Sequence, residues 1–477
     1  MITLPWQRKP KAVAGRWPLD LEICNFSGKP WTLEDAYQGL LILGSTGSGK
    51  TSGPAAGFSR KLLEHGFGGL VLCYEKEEKH TWVQRMRDAG READIRIFGL
   101  DQPWRLNFLG HESKQEASGL DAIDNLVNLL LNVCSPHRTP PTGNDLTWFT
   151  PQKKALIRSS LSLLLLAEEP LTLKAISRLL QSAPKTVEQG IDLEWRKTSY
   201  FYDLFRRALA KNPDHPELTE VHDYWFQIRA AMADKNRAPI DAEYAGLVSG
   251  PLSRGNMAAL FSNETNLTPD DCFGGKVIIV DLPVSVHEEA GQYCALIWLV
   301  SFMRAAMRRV YNPPCDRPVF VFADESNFFS TDHDANFFST CRKHGICNVR
   351  LAQNLPGFIK SYGGGEQAKL GVNQALGNLV TKLFLRNDEP DTNAWASRLI
   401  AKETIFRPSL SSSATGGSSV FSTSMAEVEL PSCSEKEFLT LRNGGKKNNY
   451  TVDGILFQAG RLWDGERWIT AQFPQSR

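Results

Sequence analysis

No stretch of this 477-residue chain approaches the ~18 consecutive apolar residues that a membrane-spanning helix requires. The best candidates, residues 161–167 and 295–303, are too short. The basic N-terminal segment 1–15 never turns apolar, so it does not read as a signal peptide. A charge excess is also lacking: 54 Lys and Arg against 53 Asp and Glu leave a net charge of +1. Nucleic-acid binding therefore cannot rest on overall basicity and would need local patches. The nine cysteines show no disulfide framework and no zinc spacing; Cys341 and Cys347 are the closest pair, without metal-like neighbours. Together these absences favour a cytoplasmic protein with reduced thiols, any membrane attachment coming from a partner. At 42% hydrophobic and 22% charged residues, the composition is that of an ordinary globular protein with length for roughly two to four domains.

What is present begins with Gly44-Ser45-Thr46-Gly47-Ser48-Gly49-Lys50-Thr51. The run follows the apolar residues 39–43, which read as a buried strand, and precedes a segment that can be helical to about His65. Strand, glycine-rich loop and helix in that order are what a phosphate-binding P-loop needs. The glycines let successive N–H groups turn toward phosphate oxygens, and the helix N-terminus adds its positive dipole. Lys50 is placed to reach the β- and γ-phosphates of ATP, and the Thr51 hydroxyl to take a position on Mg²⁺. Far along the chain, the apolar residues 318–323 end in Asp324 and Glu325. An acid at such a strand end holds Mg²⁺ in P-loop ATPases, and its neighbour can orient and deprotonate the attacking water. Asp324 is assigned the first role and Glu325 the second, which favours turnover over binding alone.

Short apolar strands at 69–74 and 94–98 alternate with a charged helical stretch, the mark of parallel βαβ units. A texture of long periodic apolar segments and helix-ending prolines then takes over. Strand patterns resume at 276–282, 318–325, 348–353, 379–385 and 454–459, with a helix expected over 291–310. The roughly 270 residues between P-loop and acidic strand far exceed one crossover, so a helical insertion is required. The expected organisation is a first part of the nucleotide-binding domain at 1–112, an all-α insertion at 113–262 and the second part at 263–477. Residues 409–424, rich in Ser, Thr and Gly, are expected to be mobile.

Several further residues match one family. The segment 69–76 resembles a strand that ends in an Asp-Pro-Lys element. Ile97-Phe98 followed by Arg105-Leu106-Asn107-Phe108-Leu109 resembles a "phenylalanine, then Asn-Pro-Leu" segment. Residues 253–255 and 270–276 resemble the approach to the next strand. Cys341-Arg342-Lys343-His344-Gly345-Ile346 and Ala352-Gln353-Asn354 resemble an "Arg…Gly…Gln" signature after the acidic strand. On these motifs the chain resembles the type IV coupling proteins of bacterial conjugation, the TraG/TraD type, within the FtsK/HerA group of motor ATPases. The resemblance implies an α/β fold: a RecA-like P-loop domain with a mostly parallel sheet and an all-α domain inserted in it. It implies ATP and Mg²⁺ as cofactors and a homo-oligomeric, hexameric ring. DNA or a relaxase–DNA complex would be the substrate, delivered to a secretion machinery whose membrane-bound component supplies anchorage.

By the same resemblance Arg342 enters the neighbouring subunit's site as an arginine finger, and Gln353 senses the γ-phosphate. Read alone, Arg342 beside Lys343 and His344 is a solvated helix residue. Gln353 sits independently at a strand end, where ligands of open parallel sheets bind. The chain departs from the family at Tyr74, where an acid is expected, and at Glu75, where proline is expected. Basic pairs in the insertion, Lys153-Lys154 with Arg158, Arg196-Lys197 and Arg206-Arg207, are each ordinary solvated faces; a ring of copies could concentrate them. Two other readings stay open: a HerA-like DNA translocase of a nuclease or defence system, and a nucleotide-gated docking adaptor.

Overall fold

The computed structural model describes residues 16–475 apart from 27, 116–118, 135–145, 249, 254, 263, 332, 416 and 417. The segment 1–15 and Arg254, both used in reading the sequence, lie outside the described residues. An N-terminal ribbon, β1 (Glu22–Phe26) and β2 (Lys29–Thr32), leads through the short helix α1 (Leu33–Tyr37) into β3 (Leu40–Leu43). Then follow α2 (Pro54–Glu64), β4 (Gly68–Leu72), α3 (Glu78–Asp88) and β5 (Ile95–Phe98). From Phe108 to Cys272 the named elements of the described chain are all helical. Strands resume with β6 (Val277–Val280), β7 (Val319–Ala323), β8 (Ile346–Ala352) and β9 (Thr381–Phe384).

These strands build one sheet in the order β13-β12-β9-β3-β8-β7-β4-β6-β5, where β12 is Thr451–Gln458 and β13 is Trp468–Pro474. From β9 to β5 every pairing is parallel, and β12 with β13 closes one edge antiparallel. The expected class, a RecA-like α/β domain with a mostly parallel sheet and helices inserted, is the fold observed. Its cause is visible in β3, Leu-Leu-Ile-Leu, buried along its whole length. Because side chains alternate across a sheet, Leu41 and Leu43 join one apolar layer and Leu40 and Ile42 the other. β4 divides in the same way, with Leu70 and Leu72 on one side and Val71 on the opposite side. A strand covered by helices on both faces must be apolar at every position, which is why these segments read as unbroken runs.

The helical region is joined to the sheet by an ionic clasp. The Glu112 carboxylate, almost wholly buried, accepts from Arg304 Nε at 2.8 Å and from Arg308 at 2.9 and 3.2 Å. Both arginines belong to the helical segment Val284–Arg308 that follows β6, on the long helix beyond its kink at Glu288, where φ is 47° and ψ −123°.

The Ser/Thr/Gly-rich stretch has a regular backbone pairing that its composition did not announce. It lies in a two-stranded antiparallel ribbon, β10 (Lys402–Thr415) with β11 (Ser418–Pro431), paired continuously from Lys402↔Pro431 to Thr415↔Ser418. Serine and threonine are compatible with a solvated strand, and ribbon pairing satisfies backbone groups without a core. Low apolar content thus left no periodic signal although regular pairing is present. No helix among the described residues is long and apolar enough to cross a membrane.

Candidate functional site

The P-loop leaves the C-terminal end of β3, a central strand, and runs into α2. Gly47 and Gly49 have φ of +73° and +87°. A side chain at Gly49 would be strained by that backbone and would meet Val452 Cγ2 at 2.6 Å. The resulting curl leaves the N–H groups of Thr46, Gly47, Gly49, Lys50 and Thr51 without a carbonyl acceptor among the described residues. Ser48 Oγ is buried and unpartnered at the same place. Unpaired donors on a glycine turn before a helix fit a polyphosphate.

β8 and β7 lie successively beside β3 and point their C-terminal ends the same way, so their last residues converge on this loop. Thr51 Oγ1 donates to Asp324 Oδ2 at 2.6 Å. Asp324 Oδ1 accepts the N–H of Glu325 at 2.9 Å. Lys50 Nζ lies 3.7 Å from Glu325 Oε1, and the same oxygen accepts from Gln353 Nε2 at 3.1 Å. Gln353 Oε1 in turn accepts from Thr46 Oγ1 at 3.1 Å. Lys50, Thr51, Asp324, Glu325 and Gln353 therefore meet in one cluster, although about 300 residues separate its extremes in sequence. Glu325 holds the left-handed backbone, φ 46° and ψ 46°, a conformation that costs a non-glycine residue about 1 kcal/mol or more. It aims the carboxylate at the P-loop rather than along the strand.

Arg342 is not in this cluster. It precedes β8, whereas Gln353 follows it, so some 20 Å of strand separates Arg342 from its own P-loop end. Its exposed side chain pairs with Glu34 of α1 at 2.5 Å.

Three contributors escaped the sequence reading. Asn387 is buried where the chain leaves β9; its Oδ1 accepts from Ser45 Oγ at 3.0 Å and its Nδ2 donates to the Gln353 carbonyl at 3.1 Å. It bolts the P-loop to the end of β8, and its position just after an expected strand was the available signal. Glu78 opens α3 and accepts from the N–H groups of Tyr74 and Glu75 at 3.3 and 3.0 Å. Burial, and then the nearby Asp324 carboxylate, push its carboxyl up to about 8. Glu78 thus supplies a carboxyl near Asp324, while Glu75 is exposed. Arg85, also on α3, donates to the Thr51 carbonyl at 3.4 Å, and burial, with Arg60 nearby, lowers its pKa to about 10. Only the three-dimensional return of α3 to the P-loop reveals those two residues.

The basic pairs of the helical region are largely neutralised. Arg158 pairs with Asp124, Lys197 with Glu194, Arg206 with Asp203, and Arg207 with Glu169 and Asp203.

A glycine-rich loop between strand and helix, an Asp–Glu strand end and a neighbouring glutamine on a RecA-like sheet make up a P-loop nucleotide-binding fold. Within it, residues 318–441 match the family model described as the TraM recognition site of TraD and TraG. Over its whole length the chain is similar to solved conjugative coupling proteins. For the unbound monoclinic form of TrwBdeltaN70 the TM-score is 0.63 at 14% identity, covering 98% of this chain and 89% of that one. For the plasmid coupling protein TrwB in complex with ADP and Mg²⁺ the values are 0.63 and 12%, with 98% and 89% covered. No curated protein matches by sequence. The resemblance to TraG/TraD-type coupling proteins thus extends from local motifs to the entire fold.

Proposed function

We propose that the chain is an ATP-hydrolysing motor of the coupling-protein type, acting as a ring on DNA or a nucleoprotein destined for a secretion machinery. The observation that carries this reading is the cluster of Lys50, Thr51, Asp324, Glu325 and Gln353. The loop N–H groups and Lys50 would hold the phosphates of ATP; Thr51 and Asp324 would hold Mg²⁺, as their mutual hydrogen bond already brings both oxygens together. Similarity to a TrwB solved with ADP and Mg²⁺ supports the same cofactors here. Bound Mg²⁺ supplies charge neutralisation at the phosphoryl group. Glu325 is the base for the attacking water, and Gln353, bonded to it, reports on the phosphate side of the site. The paired cations of the helical region favour a second reading, a nucleotide-gated docking adaptor that binds no DNA backbone itself.

ATP turnover by the full chain, with and without single- and double-stranded DNA over a salt series, separates the two. A motor gains rate with DNA and loses the gain as salt rises, because phosphate contacts release counterions. An adaptor responds to neither. Glu325→Gln is expected to retain bound ATP while turnover falls ~10²–10⁴-fold, and Lys50→Ala to lose both. Full turnover in Glu325→Gln would remove the base assignment.

A further inference from the structure

A cavity of about 450 Å³ opens in the helical region between the helix Leu173–Ser182, Tyr200, the single turn Pro251–Ser253 and the end of the helix Gly255–Leu260 with Phe261 after it. That volume is within the ~300–1,000 Å³ of small-molecule sites. Its floor is apolar, with Leu173, Leu252 and Phe261 buried. Its mouth carries Lys174 and Arg178, four residues apart and so on one helix face, both exposed. Neighbouring arginines are matched to carboxylates, Arg206 and Arg207 as above and Arg229 to Asp241. Lys174 and Arg178 have no carboxylate partner among the described residues. Arg178 lies instead over the Tyr200 ring, 3.9 Å from its centroid, and the Tyr200 hydroxyl donates to Glu169 at 3.0 Å. Glu169 is itself held by Arg207 at 2.6 Å, so its charge is committed elsewhere. A guanidinium stacked on a ring keeps its N–H edge for an oxyanion.

Two unpaired cations at the rim of an apolar slot select an anion attached to a flat apolar body. A phosphate presents enough oxygens to engage both cations, and a base has faces for the slot. From this geometry we infer that the cavity binds one nucleotide unit, its phosphate on Lys174 and Arg178 and its base against the apolar floor. The site is distinct from the P-loop and does not depend on hydrolysis there. A free nucleotide and a single strand of DNA carry the same chemistry.

The test measures binding of dTMP and of a short oligo(dT) to the full chain with the P-loop saturated by ADP and Mg²⁺. Lys174→Gln with Arg178→Gln is expected to weaken binding at least about tenfold, the scale of losing a stacked or phosphate-bound unit. Ala259→Phe, at an exposed position lining the cavity, is expected to weaken oligo(dT) but not an abasic strand of equal length. Unchanged thermal melting of each variant shows that the fold persists. Binding of dTMP alone identifies a free nucleotide as the ligand; binding of oligo(dT) alone identifies single-stranded DNA. The inference is overturned if the native chain binds neither probe, if the variants bind as the native chain does, or if the abasic strand binds natively as well as oligo(dT).

Discussion

Glu78 shows how much of a site can rest on one unannounced carboxyl. Burial and Asp324 both oppose its ionisation, which raises its pKa to about 8 from an ordinary 4.5. The sign of the linkage follows. Between about pH 4.5 and 8 the folded chain holds a proton that the unfolded chain releases, so this residue's contribution is complete below pH 4.5 and is lost as pH rises through 8. Glu78→Gln cannot ionise and is expected to flatten that decline. Discounted for the partial exposure of the side chain, the gain at pH 8 is about 1–2 kcal/mol, read from denaturant midpoints without Mg²⁺. An unchanged slope between pH 5 and 8 would show that Glu78 ionises normally. Glu325 is the complementary case: its identity as an acid after an apolar strand was readable from the chain, but its left-handed backbone was not.

At the scale of elements, the parallel strands were legible because burial on both faces demands continuous apolar runs. The N-terminal ribbon and β13 were not, since a strand such as Lys-Pro-Trp-Thr offers neither a long run nor clear alternation. The helical segment Val284–Arg308 connects two regions that the sequence shows only as separate textures. Its Gln292 Nε2 donates to the Phe328 carbonyl at 2.9 Å, three residues past Glu325, and its Arg304 and Arg308 grip Glu112. Replacing Glu112 by Gln leaves two arginines facing a site without its charge. The expected loss is about 3 kcal/mol, at the lower end for a broken buried pair because both guanidiniums reach solvent. Chemical denaturation checks this; a loss below about 0.5 kcal/mol, the level of an exposed pair, would mean that the clasp adds little.

For the whole molecule, the placement of Arg342 bears on assembly. On its own chain it lies across the sheet from the P-loop, so a direct role in turnover requires a neighbouring copy packed head to tail. Arg342→Ala is then expected to bind ATP nearly as the native chain does and to hydrolyse it poorly. Mixing it with Lys50→Ala should restore part of the rate, because some intact Lys50 sites will face an intact Arg342. A mixture no more active than its components, while subunits demonstrably exchange, returns Arg342 to a surface residue paired with Glu34.

The sequence alone determined the P-loop, the acidic strand end, the parallel α/β class and the resemblance to coupling proteins. Each of these is a local pattern in which neighbouring residues must satisfy one backbone geometry or one burial requirement. Only the tertiary structure decided that Gln353 bonds Glu325, that Asn387 and Glu78 belong beside the P-loop, and that the basic pairs of the helical region are mostly neutralised. Those facts depend on which strand ends converge and which side chains meet across hundreds of residues. Chain order does not encode such meetings directly, because the sheet order β9-β3-β8-β7-β4-β6-β5 reshuffles the order of synthesis. Packing two apolar layers against one parallel sheet is what brings those distant ends to a common edge.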